Sequence, residues 1–318
     1  WILIGLAGMA IAFFIDYRFF CRHAYIIYGV SIVLLLVVFT AGYATRGSQR
    51  WIAINGFTFQ PSELVKLTII LALAKYFDHH QIGRSYHLTE LFIPFAIVII
   101  PFLFILKQPD LGTALVLLIL FLAMVFFVGL DWRSLLIAGA GGLILSPVGW
   151  YFLRDYQKER ILTFFGPERD PLGSGYHIIQ SMIAVGSGGV FGKGFLKGSQ
   201  TQLKFLPEQQ TDFVFSVFAE EWGFLGGMIL VAMFFSLILW GLKIMNHSRD
   251  YPGALIAFGI TMLIFWEVFI NIGMVLGILP VVGIPLPFLS YGGSSMVVLM
   301  TAIGVLMNIS VRRFILQS

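Results

Sequence analysis

Asp212 closes a long polar stretch at the lip of an apolar run, in Phe205-Leu-Pro-Glu-Gln-Gln-Thr-Asp212-Phe-Val-Phe. A lone carboxylate at a helix end, lined by cations and partly withdrawn from water, meets the needs of a general base, whose contribution is typically about 10²- to 10⁴-fold. The same position suits a helix N-cap, worth about 1 kcal/mol. Both readings want an aspartate, and the residues alone leave both open. Two turns deeper stand Glu220, about 80° around from Asp212 on ideal helix geometry, and Glu221 on the opposite face. Glu220 either supports Asp212 or, as is expected of Glu221, ties helices together.

Other charged side chains collect in the same way. In Gln60-Pro-Ser-Glu63-Leu-Val-Lys66 the two charges are spaced i, i+3 and share a helix face. They form either a structural bridge behind Pro61 or a substrate-facing pair. Arg50, beside Trp51, reads as an interfacial anchor or a substrate contact, and Arg46 precedes it. Asp110, in Lys107-Gln-Pro-Asp110-Leu-Gly-Thr113, sits in the first turn of an apolar run, where a carboxylate meets the helix dipole. Between residues 186 and 200, six glycines and Lys193 and Lys197 offer amides and cations to phosphate oxygens. The competing reading is a re-entrant turn lying on protein. Arg160 and Arg169 add positive charge upstream, and His177 to Ala184 reads as a short amphipathic element at the surface. Glu267 and Asn271, i, i+4 in mid-span, point to interhelical hydrogen bonding, with a proton relay as the lesser reading. His79, His80 and His87 lack regular ligand spacing and read as a solvated loop rather than a metal site.

The elements that carry these residues belong to a membrane. Hydrophobic residues make up 58% of the chain and charged residues 11%, less than half of the roughly 25% charge of a soluble domain. The one cysteine, Cys21, excludes an internal disulfide and a cysteine-based metal site. A spanning helix needs about 20 apolar residues, and nine candidates stand out: residues 1–15, 24–43, 61–77, 91–106, 111–129, 134–153, 213–244, 253–279 and 292–311. The first is short and opens inside an apolar run, so a tenth helix is expected upstream. Arg18, Arg22, Lys75, Arg84, Arg133, Lys243, Arg249, Arg312 and Arg313 fall on one side, against Arg46, Arg50 and Lys107 on the other. The richer side is expected to face the cytoplasm, which puts residues 153–212 outside as one large extracytoplasmic loop. The expected fold class is therefore an all-α polytopic membrane protein, one transmembrane domain over residues 1–318.

Five stretches resemble the SEDS family of cell-shape and division proteins: Gln60-Pro-Ser-Glu63, Lys107 to Thr113, Gly198-Ser-Gln200, Phe205-Leu-Pro-Glu208 with Thr211-Asp212-Phe213, and Gly283-Ile-Pro-Leu-Pro-Phe-Leu-Ser-Tyr-Gly-Gly-Ser-Ser295. Val281 to Ser290 is closer to the elongation branch of that family than to the division branch. The resemblance implies ten helices and a peptidoglycan glycosyltransferase of the cytoplasmic (inner) membrane. Such an enzyme polymerises lipid II and works with a class B penicillin-binding protein and other elongation-complex membrane proteins. Asp212 matches the family's essential aspartate, and Glu63 and Lys66 its paired charges in the central cavity. Gln209-Gln210 and Glu267 depart from the residues usual there. In the implied chemistry Asp212 is the base, and undecaprenyl diphosphate leaves with its charge met by Arg50, Lys66, Arg160, Lys193 or Lys197. A divalent cation, Mg2+ or Mn2+, would share that work. Asp110, Glu220 and Asn271 are expected to support the site. Two other classes fit a polar membrane protein of this kind: a flippase for a lipid-linked precursor, which needs no indispensable base, and a scaffold that only recruits a synthase.

Overall fold

The computed structural model describes residues 1–41, 43–45, 48–54, 57–80, 85–153, 155–166, 173–202 and 208–312. Arg46, Arg84, Arg169, Arg313 and residues 205–207 of the stretch before Asp212 lie outside these. The helices follow the apolar runs closely. They are α1 (Ile2–Phe14), α2 (Tyr17–Arg22), α3 (Ala24–Ala41), α4 (Pro61–His79), α5 (Phe92–Lys107), α6 (Leu111–Val128), α7 (Trp132–Phe152), α8 (Asp155–Phe165), α9 (Ser174–Ser187), α10 (Ser199–Gln202), α11 (Val214–Asn246), α12 (Tyr251–Val275) and α13 (Gly293–Arg312). The helices α5, α6, α11, α12 and α13 are long and apolar enough to cross a membrane, and shorter apolar helices cover α1, α3 and the first part of α7.

Two features depart from the sequence reading. A three-stranded antiparallel sheet, β1 (Tyr43–Thr45), β2 (Ser48–Ile54) and β3 (Phe57–Phe59), joins α3 to α4. The polar stretch 153–212 is also not a bare loop, because α8, α9 and α10 occupy it. Within it α9 buries Ile178, Ser181 and Ala184 along one face, a helical spacing, and exposes Met182 and Ile183.

The described residues form two compact units. The first comprises residues 1–141, 238–264 and 293–318, and the second residues 142–237 and 265–292. In the first, α4 is the central helix, packed against α3, α5, α6 and α13, while α1 lies along α13. Four charged residues on α4, Glu63, Lys66, Lys75 and Asp78, set it apart from the more apolar spans. Glu63 and Lys66 are nevertheless buried, so protein rather than lipid surrounds that end of the helix.

At one end of this unit the basic residues assigned to a common side gather. Lys75 Nζ donates to the Arg22 carbonyl, Arg312 pairs with Asp16 at 3.0 Å, and Arg18 pairs with Asp250 at 3.2 Å. Tyr17 Oη donates to both oxygens of Asp250 at 2.8 Å. Burial, with that carboxylate close by, pushes the Tyr17 phenol up to about 12.

In the second unit, Ser181 links three helices. Its hydroxyl lies 2.8 Å from Ser216 Oγ on α11 and donates to the Val275 carbonyl at the end of α12 at 2.7 Å. A buried hydroxyl needs such partners, and here they fasten α9 between the two long helices.

Candidate active site

Each unit presents a polar cluster. In the first unit, Lys66 Nζ stands 2.9 Å from Glu63 Oε2 with both side chains almost wholly buried. Pro61 occupies the first turn of α4 without losing a needed hydrogen bond. The preceding Gln60 anchors the turn: its N–H donates to Ser294 Oγ at 2.9 Å, and its amide reaches Asp110 Oδ2 at 3.3 Å.

Asp110 is a helix cap. Its carboxylate accepts the Thr113 N–H at 3.2 Å and the Thr113 hydroxyl at 3.1 Å at the start of α6. Arg50 is part-buried at the end of α5. It donates to the carbonyls of Gln108, at 2.9 Å, and Pro109, and lies 3.8 Å from Asp110 Oδ2. Its cation thus covers the carbonyl end of α5, where the helix dipole is negative.

In the second unit the expected base, Asp212, lies half-buried just before α11. The carbonyl that opens the helix belongs to Phe213, which accepts from Ser216 N and Val217 N. Asp212 therefore stands one residue outside the cap position. The backbone around it is clamped by the segment 283–291. Asn271 Nδ2, wholly buried on α12, donates to the Asp212 carbonyl at 2.9 Å and to the Ile284 carbonyl at 2.7 Å. Ser290 Oγ accepts from Leu286 N at 2.7 Å and donates to the Thr211 carbonyl. Tyr291 N donates to the Gln210 carbonyl at 2.7 Å.

Three consecutive carbonyls, of residues 210, 211 and 212, are thus held from one loop and one helix. Gly283, at φ +74, passes so close that a Cβ there would stand 3.2 Å from Asp212 Oδ2. The angle favours glycine there, and a side chain would press on the carboxylate.

The glycine-rich segment docks on a break in α11. Gly223 has φ 67 and ψ −167, so the helix kinks there and its ladder opens. The loop refills that ladder: Lys193 N donates to Glu220 O and Gly194 N to Glu221 O, both at 3.0 Å. In return Phe224 N donates to Gly189 O at 2.9 Å and Leu225 N to Val190 O at 3.1 Å. Any Cβ on Gly192 would fall 2.1 Å from Glu221 O. Glycine serves here to bring backbone onto backbone, as the re-entrant reading expects, and the amides of residues 193 and 194 are taken by helix carbonyls.

Lys193 turns to Glu220 at 2.8 Å. The fully buried Glu220 Oε1 also accepts from Gln200 N at 3.0 Å and Ser199 Oγ at 3.3 Å. Lys197 is exposed on this loop, Arg160 lies on α8, and Glu267 is buried one turn before Asn271. His80 stacks on Tyr76, and His87 lies 4.0 Å from Asp131. Among the described residues no three His, Cys, Asp or Glu side chains gather as a metal-holding group.

A model of the FtsW, RodA and SpoVE cell cycle proteins matches residues 1–314. The chain belongs to the FtsW/RodA/SpoVE family. Among relatives of that family, the peptidoglycan glycosyltransferase MrdB of Escherichia coli K12 is 42% identical over 99% of this chain and 85% of its own length. The probable peptidoglycan glycosyltransferase FtsW of Geobacter sulfurreducens is 39% identical over 98% and 83%. Of solved structures, a chain from work on structural coordination of polymerization and crosslinking by a peptidoglycan synthase complex superposes with a TM-score of 0.83. It is 32% identical, over 98% of this chain and 87% of that one. The rod shape determining protein RodA of Thermus thermophilus superposes at 0.71, with 29% identity over 98% and 86%. The FtsW/RodA/SpoVE assignment makes the chain a helical, multi-pass membrane protein.

Sequence reasoning names all eight residues for one site; the structure places Asp212, Asn271, Lys193 and Glu220 in one unit and Glu63, Lys66, Arg50 and Asp110 in the other. Sequence reasoning misses Gly283, Ser290, Gln60 and Ser294 as members of the clusters. Their signal is present but indirect: all four lie in stretches that carry the family resemblance, and Gly283 between Pro280 and Pro285 marks a shaped loop.

Proposed function

We propose that this chain is a peptidoglycan glycosyltransferase that polymerises lipid II into β-1,4-linked glycan, with Asp212 as general base. The carboxylate takes the proton of the acceptor GlcNAc 4-hydroxyl as that oxygen bonds to C1 of the donor MurNAc. The bond from C1 to the diphosphate oxygen breaks, undecaprenyl diphosphate departs with its electron pair, and Asp212 returns the proton to solvent. An α-linked donor gives a β product by this single displacement, which needs one base and charge stabilisation but no second acid, unlike glycoside hydrolysis. The observation that carries the reading is the clamp on carbonyls 210 to 212, since a base must be held within hydrogen-bond reach of the proton it removes.

Of the candidate cations, Arg50, Lys66 and Lys193 already face a carboxylate or carbonyl within their own unit. Any of these, or Lys197 and Arg160, would meet the charge of the departing diphosphate, with Glu63 and Lys66 as a substrate-facing pair. A Mg2+ or Mn2+, for which the described residues form no three-residue cage, would rest on the substrate's phosphates and one or two carboxylates. Such an ion would supply charge to the leaving group. We further infer nine membrane passages, α1, α3 to α7 and α11 to α13, in the bacterial cytoplasmic membrane. Residues 153–212 then face outward, and a class B penicillin-binding protein is the working partner.

The activity is tested with the purified chain and its partner in detergent micelles, where no leaflets exist and flipping contributes nothing. Addition of lipid II should yield glycan strands on a gel. Absence of strands while the partner still binds would overturn the polymerase reading in favour of transport or scaffolding.

A further inference from the structure

The kink of α11 fixes a depth in the membrane. From Phe224 to Leu242 the helix runs nineteen residues without a charge, and Lys243 follows. At about 1.5 Å per residue that stretch is about 28 Å long, close to the roughly 30 Å thickness of a bilayer's hydrocarbon core. With Lys243 at one surface, Gly223 falls at the other.

The loop from Val190 to Lys197 cannot swing away from that level. Four backbone hydrogen bonds of 2.9–3.1 Å join residues 189–194 to residues 220–225, and Lys193 is fastened to buried Glu220. What the loop shows to its surroundings is apolar: Phe191 is 81% exposed, Phe195 70% and Leu196 62%. Leu196 holds φ 58, a conformation unfavourable for a branched side chain, and the protein does not cover that side chain in return. Trp222 and Phe224, on either side of the kink, are also exposed, and the exposed face continues along the span through Met228. An exposed apolar patch of this kind marks an interaction surface. Its continuity with the outer face of a membrane-spanning helix selects the bilayer, and aromatic side chains at this depth are the usual interfacial anchors.

We propose that the Val190–Lys197 loop is a membrane-interface anchor, seating Phe191, Phe195 and Leu196 in the phospholipid at the surface opposite Lys243 and Lys197 among the headgroups. The anchor fixes the height above the bilayer at which the segment leading to Asp212 begins, and it does not depend on which reaction the chain performs.

The single cysteine makes the test direct. In a Cys21→Ala background, Phe191→Cys and Phe195→Cys are labelled separately with a nitroxide, and the full chain is placed in nanodiscs of plain phospholipid free of lipid-linked sugar. Power saturation then compares oxygen, which partitions into lipid, with a neutral nickel chelate, which stays in water. At both positions oxygen accessibility should exceed that of nickel severalfold, with the order reversed for a label at exposed Gln202. Greater nickel accessibility at 191 and 195 would overturn the anchor. So would labels that are open to nickel in the isolated chain and become shielded from both reagents only when a penicillin-binding protein is added, because the patch would then be a protein interface. Because the substituted side chains are exposed, folding is expected to survive; quenching of a fluorophore at the same two cysteines by brominated lipid reads the same depth independently.

Discussion

Two lysine–carboxylate pairs of nearly equal length, each with a buried carboxylate, are built in opposite ways. Glu63 and Lys66, 2.9 Å apart, sit one turn apart on α4 and pair along a single helix. Lys193 and Glu220, 2.8 Å apart, are 27 residues apart, and Glu220 also receives an amide and a hydroxyl from the Ser199–Gln200 turn. A local pair is written by helix geometry and can be inverted without losing its partner. A long-range pair that also accepts from backbone is directional, because an ammonium has no lone pair to offer.

Exchanging charges tests the contrast most severely. Lys193→Glu with Glu220→Lys should collapse the loop's seat on α11. The exchanged lysine would be fully buried and would face Gln200 N–H and Ser199 as donors, leaving a buried amide without its acceptor. Fluorescence-detected thermal unfolding in detergent should show a large fall or no folded protein. Parental melting would mean that the two pairs are alike.

The clamp on Asp212 offers the next effect. Ser290→Ala and Asn271→Leu should lower kcat on the order of tenfold to a hundredfold, since displacement of a reacting group by about 1 Å costs up to about 10². KM should stay within about twofold, and Ser290→Thr, which keeps the hydroxyl, should restore most of the rate. Equal loss in Ser290→Thr and Ser290→Ala would show that packing, not the hydrogen bond to Thr211, holds the segment.

Glu63→Lys with Lys66→Glu should behave differently from its counterpart. The fold should survive within about 1 kcal/mol, the main cost being a cation near the start of α4, while strand synthesis drops about tenfold or more if the pair faces substrate. Full activity on the gel would make it a structural bridge only.

The Tyr17–Asp250 contact extends the comparison to a long-range bond with a neutral donor. The folded phenol titrates near 12 against an ordinary 10.0. Its contribution is therefore complete below pH 10 and is lost as pH rises toward about 12. Thermal unfolding should decline over that window and do so less in Tyr17→Phe. An identical decline in both proteins would remove Tyr17 as the cause.

These contrasts also explain what the sequence makes legible. Spans such as α6 and α13 are bounded within a residue or two of their apolar runs, because a bilayer demands a fixed length of uninterrupted helix. Glu63 and Lys66 are legible for a similar reason, their spacing being a property of one helix. The kink at Gly223 is hidden, because glycine is common in membrane helices and the groups that repair its ladder come from residues 189–194. The clamp is hidden likewise: nothing local to Thr211 or Asp212 announces Ser290 or Asn271, some sixty to eighty residues away. The short strands β1 to β3 and helices α8 and α10 escape because, in a chain dominated by spans, polar residues between them read as loop, whereas α9 is legible in part from its amphipathic core.

The most direct measurement replaces one atom type. Asp212→Asn keeps the size of the side chain and leaves the carbonyl that Asn271 holds, but removes the basic carboxylate. With the folded, partner-bound variant and lipid II in micelles, strand synthesis should fall at least about a hundredfold. Synthesis at the parental rate would contradict Asp212 as the base.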